Sequence, residues 1–192
     1  EKIAEVDWVL EAVVERLDIK ESVYKNLIPH LKENALLTSN TSGIPLTDLT
    51  ETLPEDVKTR FMITHFFNPP RYMKLLELVR GKKTSDDTYN IMVEFGESVL
   101  GKGIVHAKDT PNFIGNRIGI YGMMTAVNLA AKQGFTVEEV DKLTGTISGR
   151  PKSATFRTAD VVGLDTLKNV SLTTYEKALA DEERDIFQIP EI

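Results

Sequence analysis

No cysteine occurs in the 192 residues, so disulfides, thiolate metal sites and a cysteine nucleophile are all excluded. That usage fits a reducing compartment. No stretch approaches the roughly 18 apolar residues of a membrane span, and Glu1 to Asp7 lack the charged, then apolar, then small pattern of a signal peptide. The expectation is a cytoplasmic protein with no membrane span. Positive charge is also scarce: 23 Lys and Arg stand against 29 Asp and Glu, for a net charge of −6. That is the wrong sign for gripping nucleic-acid phosphates, so no nucleic-acid partner is expected, although a local basic pocket could take an anionic ligand. Glycine is missing before Gly43 and no Met opens the chain. These two absences suggest a sequence that begins partway through a larger protein.

What is present is enough for a packed fold. Hydrophobic residues make up 41% of the chain, and its length suits one large domain or two small ones. Asp7 to Val14 is an apolar run of strand length, and Leu17, Ile19, Val23, Leu27 and Leu31 follow at helical spacing. Ala35 to Thr38 is a second short run, and it ends in the polar loop Ser39-Asn40-Thr41-Ser42-Gly43. Strand then helix then strand is the unit of a parallel sheet, in which ligands bind beyond the carboxyl ends of the strands. The polar loop is therefore a candidate ligand surface.

Phe61 to Phe67 and Met73 to Val79 flank a connection too short for a helical crossover, which predicts an antiparallel hairpin. Pairing symmetric about Arg71 sets His65 across from Glu77, with Cβ atoms about 5 Å apart. A slip of one residue would turn the two apart. Asp86 to Leu100 reads as a helix and Gly103 to Ala107 as a strand, and from Asn112 onward the pattern is helical only. Helices are predicted from Asn112 to about Leu129, over Val137 to Leu143 and over Leu164 to Leu179, with a loop from Ser148 to Thr155. The composition shifts near Lys108 to Pro111, which divides the chain into residues 1–107 and 108–192. The fold class is α/β followed by an all-α domain.

Three histidines are available for chemistry. His30 lies near a helix end and His106 at a strand end, both ordinary solvated positions, whereas His65 stands inside an apolar strand. A carboxylate opposite an imidazole fixes its tautomer and stabilises the imidazolium, so His65 is a candidate general base and Glu77 its partner. Glu77 is the only acidic residue between Thr59 and Gly81, and a buried carboxylate needs such a partner; an outward-facing Glu77 is the alternative. A Ser42-His65-Glu77 hydrolase is a weaker reading, because Ser42 is preceded by Asn40-Thr41 instead of lying in a G-x-S-x-G elbow. No metal site is expected, since no two histidines stand at ligand spacing.

Five motifs occur in order: Glu11-Ala12-Val13-Val14-Glu15, Ser39-Asn40-Thr41-Ser42, His65-Phe66-Phe67-Asn68-Pro69, Lys74-Leu75-Leu76-Glu77-Leu78-Val79 and Asp109-Thr110-Pro111-Asn112-Phe113-Ile114-Gly115-Asn116-Arg117. Together they make the chain resemble the L-3-hydroxyacyl-CoA dehydrogenase family of fatty-acid β-oxidation. The resemblance implies a Rossmann-type dinucleotide-binding domain, here its C-terminal part, followed by a helical domain that forms a homodimer. It implies oxidation of an acyl-CoA substrate, a 3-hydroxyacyl-CoA, to the 3-ketoacyl-CoA with NAD. On the matching positions, His65 would be the base, Glu77 its orienting partner, and Ser42 and Asn116 hydrogen-bonding groups for the reacting oxygens. Glu15, Lys20, Asn40, Ser42 and Asn68 would lie near the nicotinamide half of the cofactor.

The family's G-x-G-x-x-G turn is absent from these residues; the only G-x-G is Gly101-Lys102-Gly103, which lacks the third glycine. With no pyrophosphate site, the chain by itself is expected not to turn over. The segment from Gly149 to Asp160 looks more like the long bacterial and archaeal members, in which enoyl-CoA hydratase segments follow. A non-enzymatic CoA-binding or dimerisation module derived from the family is the alternative, and it is disfavoured by the intact His65, Glu77, Ser42 and Asn116. Other β-hydroxyacid dehydrogenases use a lysine base, where the hairpin offers histidine.

Overall fold

The computed structural model describes residues 2–190. The chain divides into two compact units, Glu1–Phe113 and Ile114–Ile192. The segment after the last strand stays with the first unit because Phe113 is buried in its core.

The first unit is a five-stranded sheet in the order β1 (Trp8–Glu11), β2 (Leu36–Ser39), β3 (Phe61–Phe66), β4 (Leu75–Arg80), β5 (Gly103–Ala107). The pairs β1/β2, β2/β3 and β4/β5 are parallel, and β3/β4 is antiparallel. Both faces are covered, so the central strands read as nearly continuous apolar runs and not as alternating ones. On one face Leu37, Phe61, Ile63 and Val79 pack with Tyr24 of α1 (Leu17–Leu27), Leu46 and Leu49 of α2 (Leu46–Thr50) and Val57 of α3 (Glu55–Thr59). On the other, Leu36, Met62, Leu76 and Leu78 pack with Met92 of α4 (Asp86–Glu94).

The hairpin register is the predicted one: His65 pairs with Glu77, between Thr64–Leu78 and Phe66–Leu76. Other elements depart from the expectation. β1 is shorter than Asp7 to Val14, because the Val13 amide turns back onto the Glu11 carboxylate and leaves the sheet. The first helix closes in a 3-10 turn, Ile28–His30, with Pro29 at its start. The two five-residue helices α2 and α3, each preceded by a proline, are too short to show a helical period. The helix after Ser85 ends in a π-helical turn, Phe95–Val99.

The second unit contains α5 (Gly115–Gln133), α6 (Val137–Leu143), α7 (Phe156–Val162) and α8 (Leu164–Lys177). Gly134, at φ 72°, ends α5 in the left-handed conformation that glycine adopts without strain. Thr136 and Glu139 form a reciprocal capping box at the start of α6. The sequence shows no α7; its first amides are gathered by Asp141 from α6. Ile120, Met124 and Phe187 form the core of this unit.

Candidate active site

Strand alternation delivers four polar residues to one end of the sheet. On the face covered by α1, α2 and α3, Val9, Leu37, Ile63 and Val79 fill the core, and two residues along the same strands stand Glu11, Ser39, His65 and Glu77. This end holds the carboxyl termini of β1, β2 and β3, where parallel sheets bind ligands.

His65 and Glu77 are 3% and 0% exposed, with Nδ1 of the imidazole 2.7 Å from Oε2 of the carboxylate. A carboxylate oxygen accepts, so the geometry assigns a proton to Nδ1, and in the neutral ring Nε2 is then the acceptor. The Ser42 hydroxyl lies 3.1 Å from that Nε2 and donates to it. Phe67 lies tilted and Phe113 edge-on against the imidazole, at ring-centre distances of 4.6 and 5.5 Å, and cover its flanks.

Ser42 is held by its backbone. The Glu15 carboxylate accepts from the Ser42 amide at 2.9 Å, the Gly43 amide at 3.0 Å and the Thr41 hydroxyl. Burial pushes the Glu15 carboxyl up, but the Thr41 hydroxyl, the Lys20 ammonium and the two amides outweigh it and hold the group below its ordinary value. Lys20 is fully buried; its ammonium lies 2.8 Å from Glu11 and 3.3 Å from Glu15. Asn40 accepts from the Phe66 amide at 2.9 Å, which ties the end of β2 to the end of β3. Asn68 lies exposed in the β3–β4 turn, before a cis peptide bond to Pro69. Asn116 belongs to the second unit, in the first turn of α5, and is partly exposed.

Two contributors escaped the sequence reading. Glu11 takes hydrogen bonds from Val13, Lys20, Tyr24 and Ser39, and the readable signal was an acid closing an apolar strand with a lysine on the next helix. Asp109 accepts the Leu46 amide at 2.9 Å and so anchors the start of α2, just after the Ser42 loop. Nothing local marks that long-range contact. Among the described residues no group of three or more metal-binding side chains is gathered at one point, and no helix is long and apolar enough to cross a membrane.

Residues 1–110 match the family model for the 3-hydroxyacyl-CoA dehydrogenase NAD binding domain, and residues 113–190 match the model for its C-terminal domain. The chain belongs to the 3-hydroxyacyl-CoA dehydrogenase family. A probable 3-hydroxyacyl-CoA dehydrogenase of Bacillus subtilis is 51% identical over 99% of the chain, which covers 24% of that relative. One from Deinococcus radiodurans is 47% identical over 88% of the chain and 49% of the relative. The chain thus spans a quarter to a half of the length of these curated relatives. Among solved structures, Mycobacterium tuberculosis FadB2 superposes with a TM-score of 0.88 at 30% identity, covering 98% of this chain and 64% of that one. The (S)-3-hydroxybutyryl-CoA dehydrogenase PaaH1 of Ralstonia eutropha gives 0.84 at 33% identity, covering 95% and 63%.

The Glu15 environment yields a pH prediction. A carboxylate held below its ordinary value of 4.5 contributes stability that is present above that value and is lost as pH falls through the lowered one. Urea midpoints should therefore fall on acidification below about pH 4.5, and Glu15→Gln should remove part of that fall. Identical pH slopes for the two proteins would contradict the Glu15 assignment.

Proposed function

We propose that the whole protein is an NAD-dependent dehydrogenase that oxidises L-3-hydroxyacyl-CoA to 3-ketoacyl-CoA in fatty-acid β-oxidation, with His65 as the general base. The observation that carries this reading is the unbroken line from Ser42 through His65 to the fully buried Glu77. The base is oriented before substrate arrives, so little rearrangement is needed when a proton moves.

His65 takes the 3-hydroxyl proton on Nε2, the ring atom left bare by the Nδ1 bond to Glu77. Glu77 then faces an imidazolium and stabilises it in a site shielded by Phe67 and Phe113. When Nε2 turns to the substrate hydroxyl, the Ser42 O–H that it accepts from in the free chain is released to donate to the oxygen that becomes the ketone, and by its place in the family motif Asn116 is the second hydrogen-bonding group. The acceptor for the C3 hydride would be supplied by NAD when bound. The donor set suits the nicotinamide end of that cofactor: Glu15 offers a half-exposed carboxylate beside Asn40 and Ser42, with Asn68 in the turn beyond β3. Lys20, fully buried, contributes as the fixed counter-charge of Glu15.

The same Ser-His-Glu line would suit an acyl-transfer enzyme, and the amides around Ser42 argue against it. A tetrahedral intermediate needs free hydrogen-bond donors, most often backbone N–H groups beside the nucleophile. Here the Ser42 and Gly43 amides are already donated to Glu15.

In the full-length protein, His65→Gln should remove nearly all NADH-dependent reduction of acetoacetyl-CoA, on the order of a thousandfold or more, with NADH affinity little changed. A variant that retains most of its kcat would overturn the base assignment, and release of free CoA thiol at the rate of turnover would favour acyl transfer instead. The helical unit is the proposed homodimer surface, with Ile118, Ile147, Val161 and Leu179 exposed by 68 to 79%. Sedimentation velocity should give twice the chain mass, and a single-chain mass at micromolar concentration would contradict the dimer.

A further inference from the structure

We infer that Glu11 is a positioning residue: it fixes the Ser42 hydroxyl against His65 through a relay of the buried Lys20 and the half-exposed Glu15. The inference rests on the reading of Ser42 and His65 above and adds a residue that touches neither. The Glu11 side chain is 1% exposed and Lys20 is 1% exposed, so both charges are removed from water and each depends on the other.

Every oxygen of Glu11 is engaged. Oε1 accepts from the Val13 amide at 2.7 Å and from the Lys20 ammonium at 2.8 Å. Oε2 accepts from the Tyr24 hydroxyl at 2.8 Å and the Ser39 hydroxyl at 2.7 Å. Burial drives the Tyr24 hydroxyl above the ordinary tyrosine range, so it stays protonated and donates. One carboxylate thus joins the end of β1, two turns of α1 and the end of β2.

The consequence is carried by charge. Two carboxylates, Glu11 and Glu15, share one ammonium. Glu11 lies nearer to Lys20 and takes most of its pairing; Glu15 meets the ammonium only through Oε2, at 3.3 Å, and keeps Oε1 on the Thr41 hydroxyl and the Ser42 and Gly43 amides. An uncharged residue at position 11 would hand the ammonium to Glu15. Its carboxylate would then turn towards Lys20, release the two amides and let the Ser42 hydroxyl drift from Nε2. The replacement Glu11→Gln keeps the volume, and the Tyr24 and Ser39 hydroxyls can rotate to accept from the new amide.

A double-mutant cycle in the full-length protein tests this by steady-state reduction of acetoacetyl-CoA with NADH. Glu11→Gln should lower kcat by roughly ten- to a hundredfold, with a smaller change in KM for NADH, because the displaced group acts on the reacting oxygen. In a Ser42→Ala background the same change should alter kcat by less than about twofold, since the hydroxyl it positions is gone. An equal loss in both backgrounds, or no loss in either, overturns the inference and leaves the base assignment standing. Normal turnover of Ser42→Ala alone would instead contradict the reading of Ser42. If Glu11→Gln gives no cooperative unfolding transition, Tyr24→Phe serves the same cycle. It removes one donor to Glu11 and should cost several-fold in kcat only when Ser42 is present, and an equal loss or none overturns the inference.

Discussion

The pairing of His65 with Glu77 sets the terms for the rest of the first unit. A carboxylate with no solvent exposure is tolerated only where donors are waiting for it, and the imidazole Nδ1 at 2.7 Å is one. That distance exists because β3 and β4 are antiparallel with a fixed register. Sliding the hairpin by one residue would send Glu77 to the opposite face, among Met62, Leu76 and Met92, and leave the histidine facing an apolar neighbour. Register, burial and tautomer are therefore one constraint. The hydrophobic pattern of FMITHF and LLELVR supplies it, since Ile63 and Val79 must point to one core and Met62 and Leu78 to the other.

The parallel strands extend the same logic. Each contributes a core residue and then, two positions later on the same face, a polar one, so that Glu11, Ser39 and His65 emerge together where the apolar layer stops. The chain then has to hold loops that have no sheet to support them. It does so with carboxylates on backbone amides: Glu15 under Ser42 and Gly43, Asp109 at the start of α2, and Glu11 at the exit of β1. Charge-assisted bonds of this kind are stronger than neutral ones and fix direction as well as distance. They also occupy the amides that an acyl-transfer reaction would need, so the same bonds that order the loop narrow its chemistry.

How much of this could be read in advance follows from the range of each interaction. The hairpin and its register were legible because alternation has a period of two and the connection is short, which leaves little freedom in the pairing. The strand Gly103–Ala107 and the start of the helix at Asp86 were also legible, as was the polar loop after Thr38. The helices α2 and α3 were not, because five residues after a proline show no period. Lys20 is set near the nicotinamide by resemblance alone; that it is fully buried follows from the carboxylate that Glu11 brings from another element. Asp109 sits 63 positions from the amide it accepts. Family resemblance named Ser42 and Glu15, but the bond between their loops comes from the folded chain.

The central claim is a proton position: Nδ1 of His65 is protonated towards Glu77, and Nε2 is bare and accepts from Ser42. Nitrogen-15 NMR of the histidine ring at neutral pH reads this directly, because protonated and bare ring nitrogens have well-separated shifts. The account predicts a protonated Nδ1 and an unprotonated Nε2 for His65. A ring protonated at Nε2 with a bare Nδ1 would contradict it, since Glu77 would then face a lone pair and the base would have no free site for the substrate proton.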